Sequence, residues 1–201
     1  MYAKITDGAI GAIGTLKKLF PNTSFPGGMA DSDFKTANGL QDIVNAKQED
    51  RKYYWVTQGD ITLVDGVATQ GFTNTAKAIE DVDAKDSDGN QLYVQEWDDD
   101  FDNGEGEEPG KMVDTSEKMI THGLKYSFKN QIKSQANSAL TQTDWMVIRL
   151  AEREVAIPDA TVTYRAAVIT EYGRLKTAIT GAADVDALAV VMNAQNWPET
   201  D

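Results

Sequence analysis

The 201-residue chain has no cysteine, which removes a disulfide framework, a thiol nucleophile and a zinc–thiolate centre together. It has one histidine, His122, so a Ser-His-Asp triad or a His-rich metal site would have to be built on that residue. No serine stands near it in a nucleophile-elbow pattern, and the expectation is a solvated surface imidazole. There is no Walker A loop and no dinucleotide fingerprint; the glycines between Gly8 and Gly14 are too irregular, and no parallel βαβ pattern follows them. No apolar run approaches a membrane span, and the first six residues lack a secretory core. The expectation is a chain that stays soluble in the cell that makes it. Positive charge is short as well: 19 Lys and Arg stand against 32 Asp and Glu, a net charge of −13. Such a surface repels phosphate backbones. Neither nucleic acid nor membrane is expected as a partner, and no cofactor, metal or catalytic residue is assigned.

The negative charge is concentrated. Residues 1–95 sum to −4, residues 96–108 to −8 with no base among them, and residues 109–201 to −1. The acidic stretch has too little apolar content to fold and too many like charges to pack. It divides the expected organisation: a small antiparallel β-containing domain at 1–95, an acidic linker or loop at 96–113, and a helical domain at 114–201. The fold class is α+β.

In the first part, residues 1–6 read as a strand ended by Asp7-Gly8, and residues 15–20 as a helical turn. Pro21-Asn22-Thr23-Ser24-Phe25-Pro26 is irregular by its turn residues. Residues 33–46 read as a helix carrying Phe34, Leu40 and Ile43 and interrupted by Gly39. Residues 53–56 and 60–64 read as strands, and Asp65-Gly66 is a hairpin signal returning through 67–73. The sum is a three-stranded antiparallel meander, with Trp55 in the core. A turn at Asp88-Gly89-Asn90 precedes a fourth strand at 92–97.

The second part is helical by periodicity. Ile120, Leu124, Phe128, Ile132, Ala136 and Leu140 recur every four residues and form a ridge. Asp114 to Glu117 would cap this helix, unless it begins after Gly123. Thr143 reads as the N-cap of a new helix with Asp144 in its first turn, and Trp145 is placed as the anchor where the two helices meet. That helix carries Val147, Leu150 and Ala151 and stops before Pro158. The next has Tyr164, Val168, Tyr172, Leu175 and Ile179 along one stripe and ends on Gly181. A last helix starts at Asp184 and carries Val185, Leu188, Ala189 and Met192.

Candidate chemistry is sparse. An EF-hand register on Gly89 puts Asp86 and Asp88 at loop positions 3 and 5 but leaves Ala84 and Gln95 at the chelating ends, so it fails. A looser calcium site across residues 83–102 stays open beside a plain hairpin turn. The carboxylates lie in polar turns, where nothing would raise a pKa for acid–base work. Aromatics instead suit protein recognition. Trp97, followed by three aspartates, is expected to be partly exposed. Tyr172, Met192 and Trp197 are further partner-binding candidates, as residues left over after helix packing.

One resemblance runs through the last third. Leu140-x-x-Thr143-Asp144-Trp145, then Ile148-Arg149, Ile157-Pro158, Tyr164-Arg165 and Trp197-Pro198 resemble the C-terminal region of bacteriophage tail assembly chaperones, small tail-fibre assembly proteins. The Pro21-Asn22-x-Ser24-Phe25-Pro26 segment is similar to the start of many of them. The resemblance implies a non-enzymatic protein that binds a phage tail or tail-fibre protein in the host cytoplasm during virion morphogenesis. The alternative it leaves is a permanent virion component of the tail, baseplate or fibre attachment. Nothing in the pattern specifies an oligomeric state.

Overall fold

The computed structural model describes residues 1–98 and 110–199. It is α+β, with small, mostly antiparallel sheets towards the N-terminus and helices at the C-terminus. Two compact units are present, Met1–Ala76 and Lys77–Asp201.

The first unit opens with β1 (Tyr2–Thr6) and β2 (Ala9–Gly14), paired antiparallel. Helix α1 (Leu16–Leu19) follows, capped by Thr15, whose hydroxyl accepts from Lys18 N. Helix α2 (Ser32–Ala37) is capped by the Asp31 carboxylate on Phe34 N at 2.7 Å. The helix expected over 33–46 therefore stops early. Gly39 takes φ +60, and a Cβ there would lie 2.5 Å from the Ile5 carbonyl oxygen. The chain turns at that point into β3 (Leu40–Asp42), which pairs with β1. Leu16, Ala30 and Leu40 form a small core, covered by Tyr2, Leu19 and three edge-on rings, Phe20, Phe25 and Phe34. Phe25 of the Pro-rich segment is thus anchored in that core.

Strands β4 (Val44–Asn45), β5 (Tyr54–Val64) and β6 (Val67–Ala76) make the second sheet, in the order β4-β6-β5. The expected strands at 53–56 and 60–64 are one strand, with its register broken between Gln58 and Ile61. Asp65 and Gly66 make the hairpin turn with φ 51 and 79, but the third strand is β4, parallel to β6, so there is no antiparallel meander. Trp55 is 65% exposed, not core. The two-residue alternation puts Tyr54 and Val56 on the covered side and Trp55 on the open one.

The second unit begins with β7 (Val82–Asp83) and β8 (Tyr93–Asp98), followed by β9 (Lys111–Lys118) and β10 (Ile120–Thr121). β8 pairs with β9 and β7 with β10, all antiparallel. This pairing moves the division of the chain from the acidic segment to Ala76/Lys77. Of the expected linker, residues 96–98 and 111–113 are in strands, and the remainder lies outside the described residues except Gly110. Asp114 to Glu117 belong to β9 and cap no helix. Ile120 is in β10 and 53% exposed, so it is not on the helical ridge. The polar run hid the weak alternation of Val113 and Thr115, the two half-buried positions of β9.

Helix α3 (Leu124–Arg153) is continuous for 30 residues, about 45 Å at the usual rise. It starts after Gly123 and is capped by neighbouring backbone: Leu124 N donates to Ala78 O at 3.0 Å and Lys125 N to Ile79 O at 2.9 Å. It ends at Glu154 in the left-handed region. Helix α4 (Asp159–Gly181) returns beside it, and α5 (Val185–Asn193), capped by Asp184, packs on α4. Gly181 is the last helical residue, with Ala182 as the C-cap. The core of the helices comes from Phe128, Ile132 and Ala136, from Val168, Leu175 and Ile179, and from Val185, Leu188 and Met192.

The C-terminal tail is latched by one carboxylate. Glu171, buried on α4, accepts from Arg174 Nε and Nη2, each at 2.7 Å, and from Asn196 N at 2.7 Å, while Arg174 Nη2 also donates to Ala194 O at 2.8 Å. The Arg174 hydrogen bonds hold the Glu171 carboxyl below its ordinary value of 4.5; burial opposes them, and Asn196 N–H adds to the lowering. A depressed folded pKa stabilises above the unfolded value and is lost as pH falls through the folded one. Glu171→Gln is therefore expected to lower the urea midpoint at neutral pH, with the gap to the natural chain closing as pH drops below about 4.5. A gap that stays constant down to pH 2 would contradict the latch.

Candidate partner-binding site

Between residues 137 and 167 no side chain is buried. The outer turns of α3 and α4 form a two-helix hairpin, and large apolar residues remain open on it among the described residues. Trp145 is 52% exposed, Ile148 57% and Val162 50%, with Val147, Leu150 and Val155 also exposed. On soluble proteins, apolar clusters of this kind mark interaction surfaces.

Three residues expected to anchor the hairpin sit here in different roles. Thr143 caps nothing, because α3 runs straight through it. Its hydroxyl donates to Leu140 O at 3.0 Å and accepts from Arg165 Nη1 at 2.6 Å. The same Nη1 donates to Leu140 O at 2.9 Å and lies 3.0 Å from Asp144 Oδ1. Arg165 of α4 thus clamps one turn of α3 through a carbonyl, a hydroxyl and a carboxylate. Trp145 is not the buried anchor; its ring is open to solvent, with the Arg149 guanidinium stacked 4.9 Å from its centroid. Arg149 is half-buried, and its Nε is shielded from solvent without a hydrogen-bond partner among the described residues. Arg165 thus meets Leu140, Thr143 and Asp144, and Arg149 meets Trp145 on the next turns of the same helix.

The other candidates divide. Trp97 is 57% exposed on β8, opposite Met112 of β9, which is 45% exposed. Tyr172 and Trp197 are half-buried, and the Trp197 indole N–H donates to Gln195 Oε1 at 2.9 Å in the latched tail. Met192 is 5% exposed and belongs to the core, so it has no surface to offer a partner. The amphipathic turn of α5 that carries it packs inward with Val185 and Leu188.

His122 is exposed but not idle. Its Nδ1 lies 3.0 Å from Asp81 Oδ2, and its ring stacks on Tyr126 at 3.5 Å. Asp81 also accepts from Gly123 N at 2.8 Å. That backbone bond first, and His122 second, hold the Asp81 carboxyl below the usual carboxylate range. One turn on, the buried Lys125 ammonium bonds Glu80 and Thr180 O, tying the base of α3 to the end of α4. These groups fix a helix start.

In the open calcium question, Asp86 accepts from Asn90 Nδ2, Asn90 N and Asp88 N, which closes its own turn. Its carboxyl is lowered chiefly by the Asn90 side chain and then by the Asn90 backbone. Asp83 pairs with Lys118 at 2.6 Å. Among the described residues no cluster of three or more His, Asp or Glu could hold a metal, and no helix is long and apolar enough to cross a membrane. Residues 99–102 of that candidate site lie outside the described residues.

No family model, no curated protein and no solved structure matches the chain.

Proposed function

We propose that the chain is a non-enzymatic bacteriophage tail protein, a chaperone that binds a tail or tail-fibre protein in the host cytoplasm during virion assembly. The observation that carries this reading is the meeting of the motif residues on the outer hairpin. The Arg165 clamp holds the turn from which Trp145 projects, and among the described residues that ring stays half open. A chaperone must bind its client before assembly and lose it when the client folds or oligomerises, which requires an apolar surface of modest area. An open two-helix tip provides one, and the exposed charges around it, Asp144, Glu152, Arg153 and Asp159 among them, keep the pair soluble.

The test is co-expression of the full chain with the tail or fibre gene beside its own. Soluble, assembled client is expected with the natural chain and not with Trp145→Ala/Ile148→Ala, whose circular dichroism and melting should stay close to the original. Client that assembles equally well without the chain, together with stoichiometric chain in purified particles, would replace the chaperone by a permanent tail component.

A further inference from the structure

The ribbon of β8 and β9 has a different chemistry from the outer hairpin. Among the described residues it has no third strand. Its pairing breaks in the middle: Tyr93 faces Lys118 and Gln95 faces Asp114, so Val94 alone stands opposite Thr115, Ser116 and Glu117. Where the strands part, a cleft of about 450 Å³ opens, lined by Leu92, Tyr93, Met119 and Asp114. Breaks of this kind re-aim side chains and recur beside binding sites. Leu92 and Met119 are exposed, so the apolar wall can be reached from solvent. Asp114 is held in place but has no counter-ion. Gln95 Nε2 donates to its Oδ1 at 2.9 Å, and no cation among the described residues pairs with it. The base across the break, Lys118, is engaged by Asp83 at 2.6 Å. Two residues further along each strand, about 7 Å, Trp97 and Met112 make the next cross-strand pair, both exposed. They border residues 96–108, which hold eight acids and no base. The field at this end of the ribbon draws cations and repels anions, a second copy of this acidic chain included.

We propose that the cleft receives a lysine or arginine side chain from a basic segment of a protein partner. The methylene stem lies along Leu92, Tyr93 and Met119, and the charged head pairs with Asp114. Trp97 and Met112 cover the apolar residues beside it. Charge complementarity selects the occupant, and the apolar wall selects a base on a protein segment over a bare cation. The site lies apart from the outer hairpin and does not depend on it, so its failure would leave the reading above intact.

The test selects binders to the full-length chain from a displayed library of random dodecapeptides at physiological salt. Enriched sequences are expected to share one Arg or Lys between apolar residues. In a synthetic copy of the best of them, that base is replaced by an uncharged residue of the same length, citrulline for Arg or norleucine for Lys. This change and Asp114→Asn should each weaken binding about tenfold. The two together should weaken it little further, since both remove one interaction. Met119→Ala should weaken it as well, because the stem loses part of its wall. Asp114→Asn keeps an oxygen for the Gln95 amide, and the peptide change leaves the protein untouched, so a folding defect cannot imitate the result. Polybasic peptides held equally by the natural chain and by Asp114→Asn would show a diffuse acidic field without a cleft, and would overturn the proposal. Additive effects of the two changes, enrichment of acidic or purely apolar peptides, or no enrichment would overturn it too. A dimer of the chain alone that Trp97→Ala dissociates would give this face to a second copy instead.

Discussion

Gly123→Ala should unfold the start of the helical unit, lowering stability by on the order of 3–5 kcal/mol. An added Cβ would stand 2.3 Å from Glu80 O, 2.5 Å from Glu80 C and 2.6 Å from Ile79 O, all backbone atoms that cannot swing aside. Relief requires moving α3 away from residues 78–81. That breaks Leu124 N to Ala78 O, Lys125 N to Ile79 O and Gly123 N to Asp81 Oδ1. Those are the donors that a helix start must satisfy, and the N-cap residue, Gly123, has no side chain to help. Each costs roughly 1–3 kcal/mol if left buried and unpaired, less where water reaches it. Local preference points the same way, since an N-cap position favours Gly over Ala. Urea denaturation of the full chain, followed by helical circular dichroism, reads the outcome. A variant as stable as the natural chain would mean that the 78–81 segment does not cap α3.

The second large effect separates the two halves of α3. Ile132 is fully buried, and Ile132→Ala should cost about 2–5 kcal/mol through lost burial and the cavity left behind. Trp145→Ala, thirteen residues further along the same helix, should stay within roughly 1 kcal/mol, because half of the ring already faces water. The larger residue has the smaller effect. Equal losses from both would show that the outer turns are packed as tightly as the inner ones.

The periodicity of residues 124–140 was legible because a helix core needs apolar contacts on one side over several turns. Placing Trp145 as a buried anchor just beyond that ridge failed for a geometric reason. A row spaced by four residues drifts about 40° around the helix at each step. Phe128, Ile132 and Ala136 stay on the core side, Leu140 is half turned away, and Ile148 faces solvent. Thr143 looked like a cap because caps and buried hydroxyls use the same residue type; only the arrival of Arg165 from another helix distinguishes them. The β9 strand and the Ala76/Lys77 division depended on pairings across the acidic segment, which local sequence does not encode. Asp65-Gly66, Thr15 and Asp184 were readable because turns and caps are decided within four residues. Arg149, which stacks on Trp145, appeared in the sequence only as part of a resemblance.

A single continuous α3 has a consequence for how this protein can change over generations. Its inner turns and its outer turns are screened by different filters. A substitution at Phe128, Ile132 or Ala136 is judged by whether the chain folds at all, and the stability margin of a small domain is soon exhausted. A substitution at Trp145 or Ile148 leaves folding nearly untouched and, on the proposed function, is judged by whom the tip recognises. On that proposal, lineages that meet a new partner can rewrite Trp145 and Ile148 while the Arg165 clamp and the inner core hold the same rod in place. Divergence should accumulate at one end of one helix, and specificity can drift without passing through an unfolded ancestor.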